Sequence, residues 1–386
     1  MKKVIVHRSS RILSGHPWIF SNEIAGSPKT FEPGVLVEVL DQNHILLGIG
    51  YINPNSLIAV RLLTRRPEPI DQQFFAVRIA AADARRKRHI GKRDAYRVVF
   101  GESDFLPGLV IDKFGDCLSV QLLTLGMECL RETVLAAIND VLSPSVIVLR
   151  NDGRARILEG LPLEKMIIKG ALDTLPRISE GPVIFEVNPL EGQKTGFFLD
   201  QCENRTVLGA LAGPGKALDL FCYSGAWGLH LAGKGMQVTF VDESEFAVHQ
   251  VVRNAELNGC AERCSPLKDD VFSFLKRKIS SGASYDIIVC DPPAFVKSRT
   301  KIKEALRGYR DLNTMCMKVM REGGILATSS CSHHIDRETF LDMLRHAARD
   351  AGRTPQLLEC RSQGKDHPIL LAAPETEYLK CAFLQF

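Results

Sequence analysis

Apolar and polar positions alternate in short runs through the first 66 residues. Residues 35–52 read VLVEVLDQNHILLGIGYI, two alternating stretches around Asp41-Gln42-Asn43, which is a hairpin signal. Ile58–Thr64 (IAVRLLT) reads as a further strand. The run RRPEPI then breaks the pattern with two prolines and sets a boundary near residue 66. Residues 74–90 (FFAVRIAAADARRKRHI) carry apolar positions at helical spacing, with the basic ones placed opposite. YRVVFGESD (96–104), LPGLVIDKFGDCLSVQLLT (106–124) and SVIVLRND (145–152) are strand-like, and MECLRETVLAAINDVL (127–142) predicts a helix between them. This middle piece reads as a β-β-α-β unit ending near residue 180.

From about residue 186 the rhythm becomes strand, helix, strand, helix. ALDLF (217–221), QVTFVD (237–242), YDIIVCD (285–291) and GGILATSSC (323–331) are continuous apolar strands. A helix is expected from Gly225 to about Lys234, another through Leu257, and a long helical stretch before residue 323. Such an alternation implies an α/β fold with a parallel sheet covered on both faces. Three domains are expected: 1–66, 67–180 and 186–386.

Ligands of such sheets bind outside the carboxyl ends of the strands. The first strand runs into Asp219-Leu220-Phe221-Cys222-Tyr223-Ser224-Gly225, and Gly225 permits a close backbone approach. The second ends at Asp242, 23 residues after Asp219, where a carboxylate suits two ribose hydroxyls. These features alone fit a nicotinamide site as well. The loop, however, is not G-x-G-x-x-G and carries bulky Phe221, Tyr223 and Trp227, whereas a pyrophosphate needs glycine amides at a helix N-terminus. S-adenosylmethionine has no phosphate and a cationic sulfur, so it tolerates the bulk and favours carboxylates. Asp270, after the expected third strand, adds an acceptor for an adenine amino group. A single Asp at a strand end is often only a helix cap; three in order argue for a site.

Asp291-Pro292-Pro293 follows the fourth strand, where an acid can hydrogen-bond a base and the prolines stiffen the loop. Cys331 ends the next strand, on the same rim. Carbon 5 of a pyrimidine is a poor nucleophile, and thiolate attack at carbon 6 activates it, splitting one hard step into easier ones. An ordinary thiol, with a pKa of ~8.5, is only slightly ionised at neutral pH. Lys194, Lys297, His333 and His334 are the candidate cations. A cysteine chosen at random is more often a small core hydrophobe.

Charge and composition add less. The net charge is +4, too small to name a polyanion, but Arg78, Arg85, Arg86, Lys87, Arg88, Lys92, Arg93 and Arg97 cluster against only Asp83 and Asp94. Arg85, Arg86 and Arg88 are therefore candidate phosphate contacts, the alternative being a solvated helix face. Eleven scattered cysteines form no zinc set, which fits a reducing cytoplasm, and no metal site is expected. The start lacks a signal-like apolar stretch, and no apolar run approaches the ~18 residues of a membrane span.

Three stretches resemble the ribosomal RNA large subunit methyltransferase I family: EGQKTGFFLDQCENR (191–205), LDLFCYSGAWG (218–228) and residues 291–334 from Asp291-Pro292-Pro293 to Cys331 and His334. HRSSRILSGHPWIFSNEI (7–24), GESDFLPGLVIDKFGD (101–116) and PETEYLK (374–380) are similar too. The resemblance implies an N-terminal PUA RNA-binding domain, a small central α+β domain and a C-terminal class I, Rossmann-like methyltransferase domain. It implies 5-methylcytosine formation in 23S ribosomal RNA with S-adenosylmethionine as cofactor and RNA, free or in the large ribosomal subunit, as partner; it also suggests a homodimer. Cys331 would be the nucleophile and Asp291 its helper at the base. Asp219, Phe221, Tyr223, Gly225, Asp242 and Asp270 would hold the cofactor, and Lys194, Phe198 and Gln201 belong to the motif that closes over it. Cys202 stands where the family usually shows Arg, which puts any phosphate or substrate contact of that Arg in doubt. Ala294 stands where many RNA 5-methylcytosine enzymes carry a second cysteine. A guanine methyltransferase would not need Cys331; a 5-methyluracil enzyme would. A non-enzymatic RNA-binding protein on a decayed scaffold is opposed by Asp219, Asp291 and Cys331.

Overall fold

The computed structural model describes residues 1–295 and 302–386. They form two compact units, Met1–Pro176 with Val187–Leu199 and Lys365–Thr376, and Arg177–Glu186 with Asp200–Gly364 and Glu377–Phe386. Among the described residues no helix is long and apolar enough to cross a membrane.

The first unit holds two sheets. One comprises β1 (Lys2–Ile5), β2 (Trp18–Phe20), β3 (Leu36–Leu40), β4 (Leu46–Ile52) and β5 (Ile58–Thr64), in the order β1-β3-β4-β5-β2. The expected hairpin is β3–β4, and its turn is set locally: Asp41 Oδ1 accepts from the backbone N–H of Asn43 at 2.9 Å and of Ile45 at 2.8 Å. The second sheet comprises β6 (Ala95–Phe100), β7 (Leu109–Phe114), β8 (Cys117–Leu122), β9 (Val146–Asn151) and β10 (Glu164–Lys169), in the order β10-β9-β8-β7-β6. β10 departs from the expected β-β-α-β pattern; it is an edge strand without a buried residue, and EKMIIK shows no apolar–polar alternation. The predicted middle helix is broken at Leu130 into Leu125–Cys129 and Arg131–Leu142. Tyr51 and Leu63 of the first sheet join Phe75, Ile79, Val98, Leu109, Ile111 and Ile138 in one core, and the Tyr51 hydroxyl donates to Pro107 O at 2.8 Å. Burial of that apolar surface, at roughly 25 cal/mol per Å², ties the two sheets together.

One expectation fails here. Arg86 does not lie on an exposed basic face: it is 1% exposed. Its guanidinium grips Asp104 through Nη1 and Nη2 (2.5 and 2.7 Å), and Nε donates to Arg97 O at 3.0 Å. The reason is periodicity. Phe75, Ile79, Ala82 and Arg86 share one stripe of the helix Gln72–Ile90, and that stripe is buried. Arg85 is half-exposed and pairs with the same Asp104 at 2.9 Å, whereas Arg88 is exposed.

The second unit is built on a seven-stranded sheet. Its strands are β13 (Lys216–Leu220), β14 (Gln237–Asp242), β15 (Cys264–Lys268), β16 (Tyr285–Cys290), β17 (Met320–Ser330), β18 (Gln356–Arg361) and β19 (Lys380–Gln385), in the order β15-β14-β13-β16-β17-β19-β18. β13 to β17 run parallel, and β19 runs antiparallel between β17 and β18. Strand order reverses at β13, with β14 on one side and β16 on the other, and such a switch point opens a crevice at the carboxyl ends. The buried side chains of Leu218, Leu220, Ile288 and Leu326 meet Tyr309 of the helix Ile302–Lys318 and Phe340 and Leu344 of the helix Arg337–Ala351. This is the α/β, Rossmann-like domain that the strand–helix rhythm predicts.

A hairpin of β11 (Arg177–Glu180) and β12 (Val183–Glu186) completes the unit. Glu180 is buried and accepts from Arg205 Nε (2.8 Å) and Nη2 (2.5 Å), with His230 Nε2 at 3.3 Å. Burial works against that carboxylate, yet the Arg205 charge beside it holds its pKa down at about 2.

Candidate active site

The loop after β13 is bent sharply. Phe221 (φ 59°) and Tyr223 (φ 46°) take left-handed conformations, followed by Gly225 (φ 75°). Two bulky residues in that region cost on the order of 1–3 kcal/mol each, and such strain persists where the surroundings over-determine it. Here Phe221 N–H donates to Val241 O at 2.9 Å and Tyr223 N–H to Asp242 Oδ2 at 3.0 Å, both at the end of the neighbouring β14. Gly228 packs so closely on Phe240 that any Cβ would run into the ring, which brings the helix Ala226–Ala232 down onto the sheet.

Asp219 is fully buried beneath this loop. Its Oδ2 accepts from Gly228 N–H at 2.8 Å, while Oδ1 has no hydrogen-bond partner among the described residues. Burial raises its carboxyl to about 8; the Gly228 N–H opposes the shift, and Asp291 and Asp242 add to it. A buried acid with an unanswered oxygen calls for a donor or a cation. Asp242 uses Oδ2 for Tyr223 and Oδ1 for Ser244 N–H (2.9 Å), so the loop orients its carboxylate, and each oxygen keeps a second lone pair. Asp270 is the N-cap of the helix Val271–Ser280: Oδ1 accepts from Ser273 N–H at 2.8 Å, and the Ser273 hydrogen bonds hold its pKa below the usual carboxylate range.

Asp291 and Cys331 follow the adjacent ends of β16 and β17, where Cys290 pairs with Thr328. Asp291 Oδ2 accepts from the Trp227 indole Nε1 at 3.1 Å and from the Gln201 amide at 3.2 Å. The same Gln201 Nε2 donates to Ser329 Oγ at 3.1 Å, and Gln201 Oε1 accepts from Asn204 at 2.6 Å. Gln201, expected in a motif over the cofactor, thus works as a clamp on Asp291. Pro292 is buried, Pro293 is exposed, and Phe295 packs against Tyr309 with ring centroids 4.6 Å apart. Tyr309 OH lies 3.1 Å from Ser332 Oγ, which ties the loop after Asp291 to the turn carrying Cys331. Cys331 is partly exposed.

Lys194 (φ 52°) and Phe198 belong to the other unit, where the Lys194 ammonium sits 4.3 Å over the Phe198 ring. Cys202, in place of the family Arg, is buried at the start of the helix Cys202–Leu211. Lys297 lies outside the described residues.

Comparison with known proteins decides the family. Ribosomal RNA large subunit methyltransferase I of Shewanella amazonensis is 37% identical over 374 residues, covering 95% of this chain and 94% of that protein. The protein of the same name from Tolumonas auensis is 37% identical over 383 residues, 97% and 96% of the two chains.

The chain belongs to the ribosomal RNA large subunit methyltransferase I family.

A PUA-like domain model matches residues 4–65, and a model described as conserved hypothetical protein 95 matches residues 205–355. A Streptococcus mutans chain described as a SAM-dependent methyltransferase superposes over 100% of both chains with a TM-score of 0.84 at 21% identity. A second solved chain, described as a methyltransferase complexed with SAH, does so with a TM-score of 0.85 at 19% identity. Both establish the fold. Within this member of the methyltransferase I family, sequence reasoning missed Ser329, Asn204 and Tyr309 as supports, and treated Trp227 only as bulk. Their signal is three-dimensional: Asn204 lies 87 residues before Asp291 and Tyr309 lies 18 after it.

Proposed function

We propose that this chain methylates carbon 5 of a cytosine in the 23S RNA of the large ribosomal subunit, through a covalent bond to Cys331. The observation that carries the reading is that Cys331 and an Asp291 hydrogen-bonded by Gln201 and Trp227 follow the ends of adjacent parallel strands. The Asp219 oxygen without a partner, the bent Phe221–Gly225 loop and oriented Asp242 fit a cationic nucleoside, and Asp270 stands at the next strand end. Bound there, S-adenosylmethionine supplies an electrophilic methyl group. The chain's own residues do the rest. The target base must first leave its stack, at a cost of a few kcal/mol, because a stacked base hides carbon 6. Asp291 holds the ring near nitrogen 3, where protonation accepts the electrons displaced by attack. The Cys331 thiolate adds to carbon 6 and makes carbon 5 nucleophilic. After substitution, loss of the carbon 5 proton expels the cysteine. Nucleoside mass spectrometry of ribosomal RNA from a deletion strain should show one 5-methylcytidine lost; a lost methylguanosine or 5-methyluridine instead would overturn the base assignment.

Asp242 tests the cofactor half. Asp242→Ala should weaken S-adenosylmethionine binding about tenfold or more, since each charge-assisted hydrogen bond is worth roughly 1.5–3 kcal/mol. Calorimetry on the folded variant checks this, and an unchanged affinity would remove Asp242 from the site.

RNA capture needs a revised surface, because Arg86 is structural. In the first unit a cavity of about 340 Å³ is lined by Arg65, Arg66, Arg78 and exposed Phe105, whose φ of 58° holds it outward. Cations beside an exposed ring suit a phosphate–base pair of contacts. Arg65→Glu with Arg66→Glu should weaken RNA binding severalfold and flatten its salt dependence by about two phosphate contacts, while sparing cofactor affinity. Arg88→Glu should add a smaller loss. Filter binding over a salt series reads both, and parallel salt plots for variant and wild type would exclude the patch. Action in the cytoplasm and a homodimer belong to the same reading; a monomer in sedimentation velocity would set the dimer aside.

A further inference from the structure

Lys380 opens β19 and pairs with Ser330 of β17. That register carries it to the carboxyl end of the strand that delivers Cys331. The side chain turns inward and is 4% exposed. Its ammonium donates to Ser332 O at 2.7 Å and to Tyr378 O at 2.9 Å. Among the described residues no carboxylate comes within ion-pairing distance of Nζ. Burial lowers its pKa to about 8, and the groups that act in the opposite sense are Cys331 first, then Glu377 and Asp336. The charge of Cys331 also acts on the buried Tyr309 hydroxyl.

A buried ammonium held only by carbonyls is unstable unless an anion neutralises it. A thiolate at neutral pH has the reciprocal need of a cation. We propose that Lys380 is the ionic partner of Cys331, holding its sulfur as a thiolate until the sulfur bonds to carbon 6. The thiol S–H bond breaks, its proton passes to solvent, and the electron pair stays on sulfur beside the Lys380 ammonium. The same pair then forms the S–C6 bond. This rests on the reading of Cys331 as nucleophile. Lys380 acts through the sulfur, so it is a positioning residue. The other charged or titratable groups around it are Glu377 just before β19, Asp336 at the N-cap of the helix Arg337–Ala351, Tyr309, and His333, whose ring lies 5.4 Å from that of Tyr378. The two carboxylates keep Lys380 protonated but oppose a thiolate; Lys380 is the buried cation among them.

Alkylation of Cys331 by iodoacetamide, followed by peptide mass spectrometry from pH 6 to 9.5, reads the pair without turnover. In Lys380→Gln the profile should move up by about one unit, so that alkylation at pH 7 slows about tenfold. Lys380→Arg should restore most of the rate, which a merely structural role would not predict. Superimposable profiles for wild type and a cofactor-binding Lys380→Gln would overturn the proposal. If Lys380→Gln does not fold, the wild-type midpoint decides: a value clearly below the ordinary thiol range of ~8.5 supports the pair, and a value at or above it overturns the pair. Turnover of Cys331→Ala tests the methylation reading separately, so the two can fail independently.

Discussion

Cys331→Ala should lose turnover on the order of 10⁴-fold or more while still binding cofactor and RNA. The magnitude follows from removing a nucleophile whose neighbours act with it as one unit. Carbon 5 of cytosine has no lone pair to attack with, so without sulfur at carbon 6 the remaining groups have nothing to assist. Cys331 is partly exposed at the end of β17 and lies outside the buried core, so truncation should leave the fold intact. A 5-fluorocytosine substrate adds a positive result: fluorine cannot leave as the proton does, and the adduct should persist through denaturation and map to Cys331. Wild-type methylation by Cys331→Ala would replace the carbon 5 mechanism with direct attack by a ring nitrogen or amine.

The second large effect concerns stability. Glu180→Ala should destabilise the second unit by roughly 3–5 kcal/mol, because it leaves Arg205 buried without its anion. Glu180→Gln should cost less, since an amide oxygen still accepts one hydrogen bond. The pH dependence has a definite sign. The folded pKa of Glu180, about 2, lies below the ordinary ~4.3 of the unfolded chain. Its contribution is therefore complete above about pH 4.3 and is lost as pH falls toward about 2. In urea midpoints followed by circular dichroism, the gap between wild type and Glu180→Gln should be widest at pH 7 and shrink by about half at pH 3. A constant gap between them would show that the ion pair is not the source of the acid sensitivity.

The Cys331 and Glu180 predictions draw on different kinds of information. Cys331 and Asp291 are legible in the chain because a buried parallel strand is a continuous apolar run, and whatever follows its last apolar residue lies at the functional rim of the sheet. QVTFVD and YDIIVC appear in the structure as β14 and β16 at the residues their apolar runs mark. The same rule marks Asp242, and Asp270 after the expected third strand, whereas Asp219 lies inside β13, one residue before its end. For Asp270 the rule also shows its weakness, since a strand-end acid serves equally well as a helix cap, and Asp270 caps one.

Arg86 lies between the two cases. Helical spacing from Phe75, Ile79 and Ala82 already places it on the buried stripe, but residue type argued for the surface, and only Asp104 across the core explains the outcome. Glu180 and Lys380 were beyond reach, and so was the contact of Gln201 with Asp291, although the family motif names Gln201. Glu180 meets Arg205 25 residues later, Gln201 meets Asp291 90 residues later, and Lys380 reaches Ser332 from 48 residues away. Local pattern records which face of an element is apolar, because burial of each residue depends on the period of its own strand or helix. It carries no record of which elements become neighbours. That was decided by the tertiary structure: β19 inserts between β17 and β18, and the lysine at its first position comes to rest beside the cysteine at the end of β17.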